Sequence, residues 1–364
     1  MAVVALVLVS LLGAAPPRPS TGALLREQCL AGAADPRNPW ALAHGLLVEG
    51  RTFKARDGRS AARVIVSDFL QREGSGPDAN LFFAPALPDG TPIEPHPQLL
   101  LKTLLLSGHA PSEVFRASWG PLPLRSLVED LTRDFRRETA LSPHGAWTLD
   151  ALSHGLAPGA SFTTRDGERV RLDSLLDEAL TWLEYEEAEV LAGMKAGLPQ
   201  VPKSPRGLHA HPCGGLHLVQ AVLSHARHPS VKAAWGARLD RQVDVLLYRL
   251  TSESRQYDAA LTALPPTHRL PLLIQMMKFY GHWLETLGRY RDETGWTPSP
   301  EQLQAIRQAG ALLEGTVRRL DASGAWTSRD RLKAVSPSLF LDLIGDTCHA
   351  ARGWHDWRRA LEDY

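Results

Sequence analysis

The sequence of 364 residues predicts an all-α fold assembled from six helical hairpins. Six apolar segments each begin at or near a proline, each is followed by an amphipathic segment, and strand signals are confined to short connectors. Proline suits the first turn of a helix because its fixed φ matches that turn and its missing N–H is not needed there. The six prolines are Pro39, Pro97, Pro143, Pro212, Pro271 and Pro337.

The first helix of each predicted pair is apolar almost all round, which is typical of a helix buried on every side. The second helix has apolar residues at helical spacing with charges between them, which is typical of an outer helix with one solvated face. These outer helices are predicted over residues 60–72, 122–137, 172–191, 231–250, 300–320 and 354–364.

Two connectors between helices resemble each other, at residues 53–58 and 162–167. Both place Asp-Gly between extended residues, and this dipeptide is a strong signal for a two-residue hairpin turn. We therefore expect small β-hairpins in these loops and little strand elsewhere.

Six hairpins, each with a buried inner helix, predict an (α/α)6 toroid around a central cavity. The arrangement resembles that of terpenoid cyclases, protein prenyltransferase β-subunits, lanthionine cyclases, and several polysaccharide lyases and glycosidases. The resemblance covers about residues 39–364 and is one of architecture, with no family motif matched. The same hairpins would also stack in an open α-solenoid, which does not close.

Residues 1–23 contain an apolar, nearly uncharged run followed by prolines and small residues. The run is too short for a bilayer span of about 20 residues and has the character of a signal peptide. We expect an exported chain, secreted or periplasmic, with N-terminal membrane anchoring as the alternative. Residues 24–364 are predicted to form a single toroid domain.

Composition limits the class of partner. Lys plus Arg and Asp plus Glu number 40 each, and no basic run is visible, so nucleic-acid binding is not predicted. The three cysteines leave at least one thiol without a partner inside the chain. The expected partner is a small-molecule or polymeric substrate in the central cavity, with membrane contact only through the N-terminal segment.

Two rings of polar residues interrupt the apolar inner helices. Residues one and five positions after each proline share a helix face and are expected at similar depths. Buried polar groups need partners or a function, so the rings predict a cavity lining; the alternative is a set of hydrogen-bonded helix ends. The first ring is Trp40, Gln98, His144, Cys213, Leu272 and Ser338, and the second is His44, Lys102, Thr148, His217, Met276 and Asp342.

Candidate catalytic residues come from both rings. Ring closure would bring Asp342 beside His44, and a carboxylate orients an imidazole and stabilises its charged form. Cys213 follows Pro212 at a predicted helix start, where free N–H groups would stabilise a thiolate, and His144 at the same depth is its candidate base. The alternatives are a structural His–Asp link and an inert core cysteine.

The other polar ring members are assigned to catalysis or substrate contact across the cavity. His217 is a further catalytic candidate, opposite His44 in the predicted ring. The predicted substrate-binding residues are Lys102, Thr148, Trp40, Gln98 and Ser338.

A zinc enzyme of the lanthionine-cyclase type is an alternative. Such cyclases resemble this chain in a Cys-Gly element and a later Cys-His pair, here Cys213-Gly214 and Cys348-His349. Relative to their prolines the two cysteines differ by ten residues, which is roughly 15 Å of helix and too far for one zinc ion. A second alternative is a helix-end metal group: Asp346, Cys348, His349 and His355. No metal ligand and no cofactor is assigned.

The predicted function is hydrolysis or elimination by histidine and carboxylate acid–base chemistry. Histidine titrates near neutrality and therefore serves as either acid or base. The rival prediction is a non-catalytic binding or scaffold protein in which the helical surface holds a partner.

Overall fold

The computed structural model describes residues 19–76 and 79–362. The predicted signal segment falls largely on residues 1–18, outside the described residues. The described part is mostly helical, with short antiparallel β-hairpins. The all-α prediction is confirmed at this level. None of the described helices combines the length and the hydrophobicity needed to cross a bilayer.

Six helices correspond to the predicted inner helices and are largely buried. Pro39 and Pro337 stand in the first turns of two of them, as predicted. The Asn38 side chain caps the first by accepting the N–H of Ala41 at 2.9 Å. The six are α2 (Pro39–Glu49), α4 (Leu99–Leu106), α7 (Ala146–Gly155), α10 (Leu216–His225), α12 (Arg269–Thr294) and α15 (Pro337–Asp356).

The other four inner helices do not begin at their prolines. α4 begins two residues after Pro97, and α7 begins three residues after Pro143. α10 begins four residues after Pro212, behind a 3-10 turn, whereas α12 begins two residues before Pro271. Equal offsets from the prolines therefore do not mean equal depths, and the predicted rings mix residues from different levels.

The remaining helices lie outside these six or connect them. α3 continues into a π-helical turn over Ile65–Phe69, and 3-10 turns cover Gly50–Thr52, Gly207–Ala210, Pro212–Gly215 and Pro266–His268. The helices are α1 (Thr21–Ala33), α3 (Ala61–Val64), α5 (Arg125–Arg133), α6 (Arg137–Ala140), α8 (Leu172–Glu186), α9 (Ala188–Lys195), α11 (Pro229–Ala263), α13 (Pro300–Ala322), α14 (Arg329–Val335) and α16 (Arg358–Glu362).

The inner helices pack in a cyclic order. α2 contacts α4, α4 contacts α7, α7 contacts α10, α10 contacts α12 and α12 contacts α15. The last of them, α15, packs back against α2. Each of the six therefore has two inner neighbours.

The helix α1 covers the contact between α15 and α2. Its buried residues, Leu25, Cys29 and Ala33, recur every four positions and form one face. A disulfide joins Cys29 to Cys348 on α15. The outer helix predicted over residues 354–364 is therefore wrong in extent, because α15 runs to Asp356 and the N-terminal helix supplies much of its cover.

The β-hairpins connect inner to outer helices in the first half of the chain. The Asp-Gly turns lie where they were predicted, and Gly58 and Gly167 have φ values of 86° and 84°, which glycine adopts at little cost. The first connector forms only an isolated bridge between Lys54 and Ser60. The antiparallel pairs are β1 (Leu70–Glu73) with β2 (Asn80–Phe83), β3 (Val114–Ala117) with β4 (Gly120–Pro123), and β5 (Ser161–Thr163) with β6 (Arg169–Arg171).

The inner helices α12 and α15 pack backbone against backbone. A Cβ on Gly353 would lie 2.6 Å from the carbonyl oxygen of Gly281, and a Cβ on Gly281 would lie 2.7 Å from the Cα of Ala350. Both positions require glycine for this approach. The neighbouring side chains of the two helices, His282 and His349, are brought together by it.

Candidate functional site

A cavity of about 210 Å³ lies between the six inner helices, and every one of these helices or its leading turn contributes to the wall. Its lining is rich in imidazole, lysine and carboxyl groups among a few aromatic side chains. The lining residues are Trp40, His44, Leu47, His96, Leu99, Lys102, Thr103, Trp147, Pro212, Cys213, His217, Lys278, His282, Asp342, Gly345, Asp346 and His349.

Four buried imidazoles meet at this cavity. The ring of His282 lies 3.8 Å from that of His349 and 4.7 Å from that of His217, measured between centroids. His349 is 5.3 Å from His217 and 5.2 Å from His44. The four side chains come from α2, α10, α12 and α15, so the cluster exists only when these helices pack together.

Glu285 contacts two of these four imidazoles, those of His349 and His282. The Nδ1–H of His349 donates to Oε2 of Glu285 at 2.7 Å, and Nδ1 of His282 lies 3.4 Å from the same oxygen. The side-chain amide of Gln220 also donates to this carboxylate. Burial alone would raise the pKa of Glu285, but His349 and His282 outweigh it and hold that pKa well below its usual range. Glu285 is therefore an anion beneath the imidazoles.

The imidazoles themselves are held neutral. Burial lowers the pKa of His44 to about 4 and that of His349 to about 3, and neighbouring histidines add to both shifts. Burial also lowers the pKa of His282, and it lowers that of His217 well below its usual value. A neutral imidazole has a free lone pair, so these side chains can accept protons or bind a metal.

A lysine and two carboxyl groups form the rim of the cavity. Nζ of Lys278 lies 3.0 Å from Asp342 and 3.6 Å from Asp346. Asp342 is half exposed, whereas Asp346 is buried. Burial raises the pKa of Asp346 well above its usual value, despite Lys278. The rim therefore offers a charged lysine–carboxylate pair and a buried carboxyl group that keeps its proton.

A second buried network lies next to the cavity and includes the lining residue Lys102. Arg289 on α12 donates from both terminal nitrogens to the Asp150 carboxylate on α7, and it also reaches Ser224 on α10. Nζ of Lys102 lies 3.6 Å from Asp150. Burial would raise the pKa of Asp150, but Arg289 dominates and holds it well below its usual range. The network ties three inner helices together and reaches the cavity wall through Lys102.

Cys213 is not the activated thiol that the sequence predicted. It lies three residues before α10 in a left-handed turn with φ 53°, instead of at a helix start. Burial raises the pKa of its thiol to about 12. The physical basis of the thiolate prediction is therefore absent, although Cys213 does line the cavity.

Several predicted site residues do meet at the cavity. His44, His217, Lys102, Trp40, Asp342 and Cys213 all line it. The predicted pairing of His44 with Asp342 is not formed. Asp342 pairs with Lys278, while the Nδ1–H of His44 donates to the Trp40 carbonyl at 2.7 Å. α15 does pack on α2, but it presents Gly345 and His349 to His44.

The other predicted residues do not line the cavity. His144 is exposed and stacks on His96, so it is not the base of Cys213. Gln98 precedes α4 with a left-handed backbone, and Ser338 is exposed in the first turn of α15. Thr148 is buried and directs its hydroxyl to the Pro97 carbonyl. The shifted helix starts account for these misplacements.

The lanthionine-cyclase ligand set is also not formed. Cys348 is bonded to Cys29 and therefore cannot join Cys213 at a metal. His349 remains in the cavity, but with Glu285 as its partner. The helix-end group of Asp346, Cys348, His349 and His355 loses Cys348 for the same reason.

Two sets of three side chains in the described residues have the spacing to hold a metal ion. One is Cys213, His217 and His282; the other is His282, Glu285 and His349. In each set the candidate ligand atoms lie within 4.8 Å of one another. Sequence analysis assigned no metal ligand.

Sequence analysis missed the contribution of α12 to the site. Lys278, His282, Glu285 and Arg289 follow one another at spacings of four, three and four residues, which places them on one face of the helix. A polar stripe within a helix that is otherwise buried was the available signal. The predicted rings lie one and five residues after each proline, whereas this stripe begins seven residues after Pro271.

A larger groove of about 780 Å³ runs along the outside of the molecule beside α1, α14 and α15. Its charged residues include arginines and aspartates in similar numbers, and it contains none of the buried histidine cluster. Perturbed pKa values and convergent polar groups favour the smaller central cavity as the functional site.

Comparison with known protein families, with curated protein sequences and with solved structures yields no match to this chain.

Proposed function

We propose that this chain is an (α/α)6 toroid enzyme that carries out hydrolysis or elimination in its central cavity. The observation that carries the proposal is the meeting of four buried histidines, Glu285 and Asp346 around one cavity. Burying so many polar groups at one place costs folding free energy, and such clusters are typical of functional sites.

The toroid is supported by the cyclic packing of the six inner helices and by the covering position of α1. An open α-solenoid would leave α2 and α15 at opposite ends. Small-angle scattering distinguishes the two forms, because a compact chain of this length has a radius of gyration of about 21 Å. A clearly larger value would favour the solenoid.

The proposed proton acceptor is His349. Its Nδ1–H is held by Glu285, so Nε2 is the free atom, and the carboxylate would stabilise the imidazolium that forms when Nε2 takes a proton. The proposed proton donor is Asp346, which burial keeps protonated. Lys278 beside it would stabilise negative charge that develops on the substrate.

The walls of the cavity suit a substrate with both polar and flat apolar parts. Trp40 and Trp147 line it beside Lys102, while His96 stacks on Trp147 with ring centroids 3.8 Å apart. Assaying the protein against a panel of esters, amides, glycosides and uronate polysaccharides would identify the substrate class. Incorporation of oxygen from labelled water identifies hydrolysis, and an unsaturated product identifies elimination.

The variants His349→Asn and Asp346→Asn test the proposed roles of proton acceptor and proton donor. Each should lower turnover by about 100- to 10,000-fold, which is the contribution of a positioned acid or base. His225→Asn is the matched control, because His225 is fully buried but pairs with Asp173 outside the cavity. Turnover that survives both cavity substitutions, or no turnover on any substrate of the panel, would contradict the proposal.

A further inference from the structure

Three side chains face one another at the wall of the central cavity: Cys213, His217 and His282. Their candidate ligand atoms lie within 4.8 Å of one another, and all three residues line the cavity. Cys213 comes from the 3-10 turn before α10, His217 from the first turn of α10, and His282 from the middle of α12. The fold thus assembles the trio from two neighbouring inner helices.

Three of the four ring nitrogens of this trio make no hydrogen bond among the described residues. Nδ1 of His217 and both ring nitrogens of His282 are buried and make no hydrogen bond among the described residues, although Glu285 lies 3.4 Å from Nδ1 and Asp346 lies 3.9 Å from Nε2 of His282. An unsatisfied buried polar group costs about 1–3 kcal/mol. The two histidines are only 7% and 1% exposed, so bulk solvent does not supply the missing bonds. A bound ion would satisfy one nitrogen of each ring.

The backbone around Cys213 is also unusual. Cys213, Gly214 and Gly215 are successive residues with positive φ, at 53°, 60° and 77°. This conformation is unfavourable for cysteine, which carries a Cβ, and such strain is typical of positions with a function. A cysteine stands here where glycine would be less strained, and it lines the cavity wall.

One thiolate and two imidazoles are a ligand set that suits zinc. Zinc binds sulfur at about 2.3 Å and imidazole nitrogen at about 2.0–2.1 Å, so tetrahedral ligand atoms lie roughly 3.4–3.7 Å apart. Small side-chain rotations bring the three atoms from their present spacing to these distances. Three protein ligands leave the fourth position free, and all three residues line the cavity.

The second candidate set is better explained without a metal. In the set of His282, Glu285 and His349, a hydrogen bond of 2.7 Å already joins Nδ1 of His349 to Glu285, and Gln220 donates to the same carboxylate. Glu285 also lies 3.4 Å from Nδ1 of His282. That position suits an outer partner that orients a metal-bound imidazole, as carboxylates commonly do.

We propose that Cys213, His217 and His282 bind one divalent cation of the zinc class, with Glu285 orienting His282 and the open position directed into the cavity. Binding displaces the thiol proton of Cys213 to solvent, since the ligand is a thiolate. The site requires no particular reaction and goes beyond the proposed acid–base function.

Cobalt provides the test, because Co²⁺ occupies zinc sites and is visible. The purified full chain is stripped with a chelator, dialysed and titrated with CoCl2. We expect one equivalent to bind, with strong visible bands of tetrahedral cobalt and a thiolate-to-cobalt charge-transfer band in the near ultraviolet. Added zinc should displace the cobalt ion and so abolish both sets of bands.

Cys213→Ser should remove the charge-transfer band, and His282→Gln should weaken binding beyond the roughly 10–100-fold that loss of an outer partner costs. His225→Gln, a buried histidine on the same helix α10 with partners of its own, should bind as wild type. Circular dichroism verifies each fold, and Cys213→Ser keeps the test valid if His282→Gln does not fold.

Two results would overturn the proposal: a folded wild type that binds no cobalt, or cobalt bound without the charge-transfer band. The titration contains no substrate, and His349 is not a ligand. Failure of the metal site and failure of the acid–base function are therefore separate results.

Discussion

Arg289 and Asp150 form a bidentate ion pair, with nitrogen–oxygen distances of 3.0 and 3.1 Å. The pair joins α12 to α7, two inner helices that are not sequential neighbours in the packing order, and passes the intervening α10 at Ser224. Both side chains are buried. The pair is therefore a buried, charged brace across three inner helices.

Removal of one partner of this brace should destabilise the fold strongly. Asp150→Asn removes the bidentate partner of Arg289 and the counter-charge of Lys102, leaving only Glu293 beside the guanidinium, which costs about 3–5 kcal/mol of unfolding free energy. Urea denaturation measures the loss. Glu314→Gln is the control, because it breaks the exposed pair with Arg318 and should cost less than about 1 kcal/mol. Equal effects of the two variants would show that the brace adds little.

The disulfide between Cys29 and Cys348 should account for two of the three cysteines. Thiol titration of the denatured, unreduced chain should find one thiol, that of Cys213, and reduction should raise the count to three. The double variant Cys29→Ser, Cys348→Ser should lose about 2–5 kcal/mol of stability. Three thiols before reduction, or unchanged stability of the double variant, would contradict the assignment.

Glu187 should make stability depend on pH near neutrality. It is fully buried against Gln242, and burial raises the pKa of its carboxyl group to about 7. Since this pKa is above the unfolded value of about 4.3, the stabilising contribution is complete below pH 4 and is lost as pH rises to about 7.

Glu187→Gln removes that titration. The variant should exceed wild type by about 4 kcal/mol at pH 8 and converge with it at pH 4, because each pKa unit corresponds to about 1.4 kcal/mol. Chemical denaturation at several pH values measures the difference. The exposed Glu189→Gln should follow wild type throughout. A constant offset between Glu187→Gln and wild type would rule out this titration.

The glycine contact between α12 and α15 should not tolerate a methyl group. Gly353→Ala would place a Cβ against backbone atoms of α12, and the forced separation should cost about 1–3 kcal/mol. Gly315→Ala in α13 has open space around its new Cβ and should stabilise by up to about 1 kcal/mol. Melting temperatures that move in opposite directions support the close approach; a parallel rise would contradict it.

The inner helices could be predicted because they are apolar on every face, a property that the sequence displays locally. Hairpin turns at Asp57-Gly58 and Asp166-Gly167 were equally local signals, since only the dipeptide and its flanks matter. The cover of α15 by α1 could not be predicted in this way. Leu25 and Cys29 show only that one face of a helix is apolar, and nothing nearby indicates which helix covers it.

The site was predicted in part. His44 and His217 were found because a polar residue in a buried helix is conspicuous. The partners were not found, because pairing depends on the depth of each helix, and the helix starts differ from the prolines by up to four residues. His282 and Glu285 were missed although their spacing on α12 was visible, because they lie eleven and fourteen residues after Pro271, beyond both predicted rings.

The cover of α15 by α1 has a consequence for synthesis on the ribosome. Leu25, Cys29 and Ala33 are made early, yet much of their partner surface on α15 is made last. The part of this apolar face that packs on α15 must therefore stay uncovered, or be shielded by another protein, while some 300 residues follow. Assembly of the cavity is tied to completion of the chain, because His349 arrives on the same helix that finally covers that face.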